Sequence, residues 1–127
     1  MSTNQNEKRE YLRYRCDKPV NFKILASPKD SGDASKFVSG ISKNLSASGI
    51  LFSSAEIPEI SSVLALDLDY RTTNLCREIE EHVLLVNTKL IGKVVRIEQK
   101  DDGSYDIGVA FIKKCDHLPA EIENLLK

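Results

Sequence analysis

Hydrophobic and polar residues alternate with a period of two along much of this chain. Val20, Phe22 and Ile24 alternate with Asn21 and Lys23, which puts one face of a strand on a core and the other in water. Pro19 fits the first position of that strand. Phe37 to Leu45 reads as a second extended segment, Gly49 marks a sharp turn, and Ile50-Leu51-Phe52 begins a third strand. Leu64, Leu66 and Leu68 alternate with Ala65, Asp67 and Asp69, giving a fourth strand with a greasy face and a wet one. The β-branched stretch from Val83 to Glu98 predicts one long strand, or two separated by a bend, with Gly92 as the natural bulge. Asp101-Asp102-Gly103 predicts a hairpin turn, and Ile107, Val109 and Phe111 alternate with Gly108 and Ala110 in the last strand.

Three stretches break the alternation. Residues 27–35 cluster turn formers and charges and read as a solvated loop. Residues 70–82 are polar and stay open between a long loop and a short helical turn. Leu118, Ile122, Leu125 and Leu126 fall at helical spacing with Pro119 in the first turn, which predicts a short amphipathic C-terminal helix. About six strands joined by turns, without crossover helices, imply a mainly all-β, antiparallel sheet, and closure into a barrel would remove its exposed edges. Residues 1–7 are polar and read as a flexible leader, followed by a single domain over residues 8–127.

Composition narrows the function. Eighteen basic and nineteen acidic side chains leave a net charge of -1, so no overall field draws the chain to a nucleic-acid backbone or an anionic membrane. The longest aliphatic run, Val83-Leu84-Leu85-Val86, is far short of the roughly 20 residues that a membrane-spanning helix needs. The polar N-terminus leads into no apolar segment of a secretory signal, so a cytoplasmic location is expected. Cys16, Cys76 and Cys115 are scattered and fit buried thiols in a reducing compartment. His82 and His117 lack a second ligand at metal spacing, so no metal site is expected. Glu78, Glu80 and Glu81 have no nucleophile or oxyanion donor in a recognisable arrangement, and no catalytic residues are assigned.

Two short polar motifs carry the remaining information. Arg9 and Arg13 bracket Glu10-Tyr11-Leu12, and Asn44-Leu45-Ser46-Ala47-Ser48-Gly49 follows about thirty residues later. A guanidinium fork grips guanine O6 and N7 and stacks on a base, which a lysine cannot do. In an extended segment Asn44 and Ser46 would share one side, with amide and hydroxyl donors and acceptors for a base edge or a phosphate. Gly49 would allow a positive φ and close ligand approach. Each motif alone also reads as ordinary chemistry: a solvated basic face for the arginines, a bend begun by Asn44 and capped by Ser46 for the second.

Taken together and in this order, the motifs resemble those of the PilZ domain family, R-x-x-x-R ahead of a barrel and [D/N]-x-S-x-x-G on an early strand. Gly92-Lys93-Val94-Val95-Arg96 and Ile107-Gly108-Val109-Ala110-Phe111 are similar to the family's late strands. The resemblance implies a six-stranded antiparallel β-barrel and a bacterial second-messenger ligand, cyclic di-GMP, with no cofactor. By position, Arg9 and Arg13 would bind guanine and phosphate, Asn44 and Ser46 a guanine edge, and Gly49 would leave room for the ligand. A basic residue at Lys8 goes, in similar proteins, with a stacked pair of ligand molecules.

The expected function is therefore a cyclic di-GMP effector whose leader closes on the ligand and signals to an unidentified protein partner in motility, adhesion or exopolysaccharide control. An alternative is a PilZ-like adaptor that binds protein but no nucleotide. A small barrel for single-stranded DNA or RNA would need a basic groove with stacking aromatics. With no Trp and no net positive charge, that reading ranks last.

Overall fold

A computed structural model describes residues 14–15, 17–26 and 37–116, and within them the alternating segments close on one another. The strands are β1 (Tyr14–Arg15), β2 (Pro19–Ala26), β3 (Val38–Leu45), β4 (Gly49–Ser54), β5 (Val63–Asp67), β6 (Leu85–Val86), β7 (Lys89–Gln99) and β8 (Tyr105–Phe111). Six of them form an antiparallel barrel in the order β3-β2-β5-β7-β8-β4, closed by pairing of β4 with β3. The short strand β1 lies against β3, on the edge that β2 occupies further along, and β6 forms a hairpin with β7. The expected six-stranded antiparallel barrel is the fold observed. The C-terminal helix expected around Leu118–Leu126, the loop at 27–35 and the leader lie outside the described residues.

Alternation explains the inside of the barrel. Val20 and Phe22 of β2, Leu45 of β3, Ile50 and Phe52 of β4, Leu64 and Leu66 of β5, Leu90 and Val94 of β7, and Ile107, Val109 and Phe111 of β8 form one buried cluster. Phe22 and Phe52 meet at its centre, ring centroids 5.2 Å apart and tilted by 49°, the offset geometry that aromatic quadrupoles favour. The stretch left open at 70–82 resolves into a 3-10 turn over Tyr70–Thr72 and a helix, α1, over Cys76–His82. Tyr70, Leu75 and Ile79 join the same core, so tertiary burial decides a segment whose polar surface hides its helical spacing.

Other sequence expectations change. Ala65 is buried rather than wet, because the outer face of β5 carries a second cluster of Val63, Ala65 and Ile91 packed by Leu25, Leu84, Val86 and Ile112. The bulge expected at Gly92 sits instead between Val94 and Arg96. Gly92 faces inward, where a Cβ would lie 2.4 Å from Val109 Cγ1, so it makes room for the core. The stretch from Val83 to Glu98 contains a tight hairpin at Asn87-Thr88, with φ of 53° and 66°, the left-handed pair that a two-residue hairpin requires. Gly103 (φ 90°) marks the expected β7–β8 turn. There the Ser104 hydroxyl and amide hold the Asp102 carboxyl below its usual range. Cys76 is half-buried and Cys115 exposed, both free thiols, where buried thiols were expected; Cys16 lies outside the described residues.

Candidate functional site

The second motif forms the corner between β3 and β4. Leu45 points into the core, fully buried, while Asn44 is half-buried on the outer face. Ser46 caps the corner. Its hydroxyl accepts from the amides of Ser48 and Gly49, both at 3.2 Å, and meets the Ser48 hydroxyl at 2.9 Å. Its amide donates to the Gly49 carbonyl at 2.9 Å, and Ser46 is only 2% exposed. Ser46 thus shapes the turn from beneath, and Ser48 presents the exposed hydroxyl.

Gly49 does not take the conformation expected of it. Its φ is not positive, and it begins β4 rather than forming the turn. A Cβ there would lie 2.3 Å from the Val109 carbonyl oxygen, so the glycine lets β4 and β8 approach each other. Gly49→Ala is therefore expected to destabilise the fold by about 1–3 kcal/mol, the usual cost of overpacking. Chemical denaturation checks this. A loss of ligand affinity without loss of stability would instead assign Gly49 to ligand room alone.

Outside the barrel, a groove of about 250 Å³ runs across β3, β4, β8 and β7, lined among others by Asn44, Ser48, Gly49, Gly108, Ala110 and Arg96. Strand registers set its geometry. Asn44 is opposite Leu51, Leu51 opposite Gly108, and Gly108 opposite Arg96. Three strand spacings place the Asn44 and Arg96 backbones on the order of 14 Å apart around the curved surface. Gly49, Gly108 and Ala110 leave the floor low between these walls, and Val95 stands 56% exposed at one side. Both walls are bulged, β3 between Ser42 and Asn44 and β7 between Val94 and Arg96. Bulges re-aim side chains and recur beside binding sites; here each is followed at once by a polar wall residue.

The electrostatics of the groove are local. Lys43, beside Asn44, is drawn to the buried carboxylate of Asp106 at 3.1 Å, which also meets Lys100 at 3.4 Å. Arg96 is the cation among the lining residues, paired with Glu98 at 3.3 Å. Sequence reasoning treated Arg96 only as part of a strand. A second concavity, about 190 Å³ between Asp67, Asp69, Tyr70, Arg71 and Thr88, presents two carboxylates and suits an anion poorly. Among the described residues, no group of three or more His, Cys, Asp or Glu could hold a metal ion, and no helix is long and apolar enough to cross a membrane.

Arg9 and Arg13 lie outside the described residues, but the chain that follows them is placed. Tyr14 pairs with Leu45 and Arg15 with Asn44. The path then turns at Lys18, whose amide donates to the fully buried Ser42 hydroxyl at 3.0 Å and whose carbonyl accepts from that hydroxyl at 2.8 Å. One serine thereby satisfies both backbone groups of Lys18 between β1 and β2.

Comparison with known proteins agrees with this architecture. The chain is similar to the solved structure of the Bacillus subtilis inhibitor of motility MotI/DgrA, with a TM-score of 0.57 and 16% identity, over 93% of this chain and 47% of that one. It thus spans about half of that protein's length. It is also similar to the PilZ domain of CeSA from a cellulose-synthesizing bacterium, with a TM-score of 0.44 and 16% identity, over 91% of this chain and 94% of that one. At such identity the first likeness shows the fold. No curated protein matches the sequence. The PilZ domain family model matches residues 7–127; its members are binding and adaptor domains, generally cyclic di-GMP receptors, rather than enzymes. With that match covering both polar motifs and the whole barrel, the chain belongs to the PilZ domain family.

Proposed function

We propose that this chain binds cyclic di-GMP on the outer face of its barrel, between the arginines of the first motif and the groove walled by Asn44. The observation that carries the reading is the pairing of Tyr14 with Leu45. Consecutive Cα atoms are about 3.8 Å apart, so Arg13 is tethered beside the strand that holds Asn44 and Ser46. Arg9 lies five positions before Tyr14, a reach of up to roughly 18 Å, enough to span the groove. Guanidinium forks would take a phosphate and stack on or bond to guanine. Asn44 would complete a guanine edge, Ser46 would fix the corner, and Gly49 would keep the floor low.

Closure of the arginine segment over the ligand orders chain at an entropic cost subtracted from affinity, and creates or hides a surface for a protein partner. Motility control is the first output to test, since the solved structure similar in fold is an inhibitor of motility; adhesion and exopolysaccharide control follow. The partner, a cytoplasmic location and ligand stoichiometry, one molecule or the stacked pair that Lys8 suggests, belong to the same proposal.

Titration calorimetry with cyclic di-GMP, against GTP and cyclic AMP, tests it: saturable binding of cyclic di-GMP alone is expected. A second reading, an adaptor without nucleotide, is favoured by the commitment of the Ser46 hydroxyl to its own turn. The same titration separates the two.

A further inference from the structure

We propose that Arg96 is an anion-binding residue of this groove, holding a ligand phosphate from the wall opposite Asn44, and that Glu98 occupies its guanidinium until the ligand arrives. The proposal rests on the cyclic di-GMP reading above and adds a residue to it. Three observations carry it. The first is placement: Arg96 faces Gly108 across the strand pair, and a Cβ at Gly108 would lie 3.3 Å from Arg96 Cβ. The missing side chain leaves the arginine stem unobstructed over the groove floor.

The second is backbone geometry. Leu90 and Val94 of β7 point inward, so strict alternation would direct residue 96 into the core as well. The bulge at Val95 instead turns Arg96 outward, 68% exposed in its side chain, and restores the inward register at Ile97 opposite Ile107. A fork that would be forbidden in the core is thereby aimed along the groove.

The third is charge. Lys43, the cation nearest Asn44 in sequence, is engaged with Asp106. Arg96 pairs through Nη2 with Glu98 Oε1 at 3.3 Å, and Glu98 is itself 55% exposed. An exposed pair of this kind is weak and readily exchanged. A phosphate diester offers two oxygens to the same fork with better geometry than one carboxylate oxygen.

The two roles have opposite signatures in mutants. If the Arg96–Glu98 pair merely supports the strand, loss of either partner acts in the same direction. If Glu98 is a resident competitor, Arg96→Ala weakens binding while Glu98→Gln, which frees the fork and removes a negative charge beside an anion, strengthens it. Calorimetric titration of the full chain with cyclic di-GMP at two salt concentrations reads this. Arg96→Ala is expected to bind about tenfold more weakly, with a shallower salt dependence. Glu98→Gln is expected to bind about two- to fivefold more tightly. An Arg96→Ala chain that binds as tightly as the parent, or a Glu98→Gln chain that binds no more tightly, overturns the proposal while leaving the cyclic di-GMP reading intact. A parent chain that binds no cyclic di-GMP overturns both.

Discussion

Replacing Arg9 and Arg13 together with alanine is expected to lower the affinity for cyclic di-GMP by about thirtyfold or more. A bidentate guanidinium contact to a guanine or an equivalent anion is worth about 1–3 kcal/mol, so two contribute at least about 2 kcal/mol if they act independently. At about 1.4 kcal/mol per tenfold, that sets the lower bound. The same double variant is expected to keep its thermal midpoint, because the core cluster of the described residues, from Val20 to Phe111, is built from apolar side chains. Calorimetry paired with thermal unfolding separates the two effects. Unchanged affinity in a folded double variant would remove the arginines from the site.

The largest expected loss of stability lies at the centre of the barrel. Phe52 is fully buried, and its ring packs against Phe22 at 5.2 Å. Phe52→Ala removes the transfer energy of the ring, leaves a cavity among β-branched neighbours that cannot collapse freely, and is expected to cost about 3–5 kcal/mol. For a domain of this size that lowers the thermal midpoint by roughly 10–20 °C. Denaturant titration at equilibrium measures it. A cost below about 1 kcal/mol would mean that the barrel interior repacks, contrary to a rigid interdigitated core. The groove depends on the same residue indirectly, because Leu51, its chain neighbour, lines the outer face.

How much of this was legible in the sequence follows from the period of two. The six barrel strands were readable because their inward positions are apolar and their turns carry Gly, Asp or Pro. The helix over Cys76–His82 was not, since its only fully buried residue, Ile79, sits among charges that read equally as a loop. The β6–β7 hairpin was hidden because Asn87-Thr88 lacks the glycine that usually marks such a turn. Ala65 misled because a small residue says nothing about whether a second layer covers it.

The candidate site was half legible. Asn44 and Gly49 do line a groove, but Gly49 also lets two strands approach, which no local pattern reveals. Ser46 turned out to be the cap of a corner, a role its motif carries equally well. Arg96 did have a signal that went unused: a charged residue at an inward phase of the alternation, after Leu90 and Val94, demands a bulge. Asn44 stands at the corresponding phase of β3, after Gly40 and Ser42, and a bulge is found there as well. Two polar side chains out of phase on two strands, Asn44 and Arg96, thus point to the two walls of one groove.

The most direct test is where cyclic di-GMP lands. Backbone amide NMR of the labelled chain, titrated with the ligand, is expected to shift the signals of Asn44, Ser48, Gly49, Arg96 and Gly108, together with those of Arg9 and Arg13. Shifts confined to Asp67–Arg71 and Thr88, or none at saturating ligand, would contradict the account.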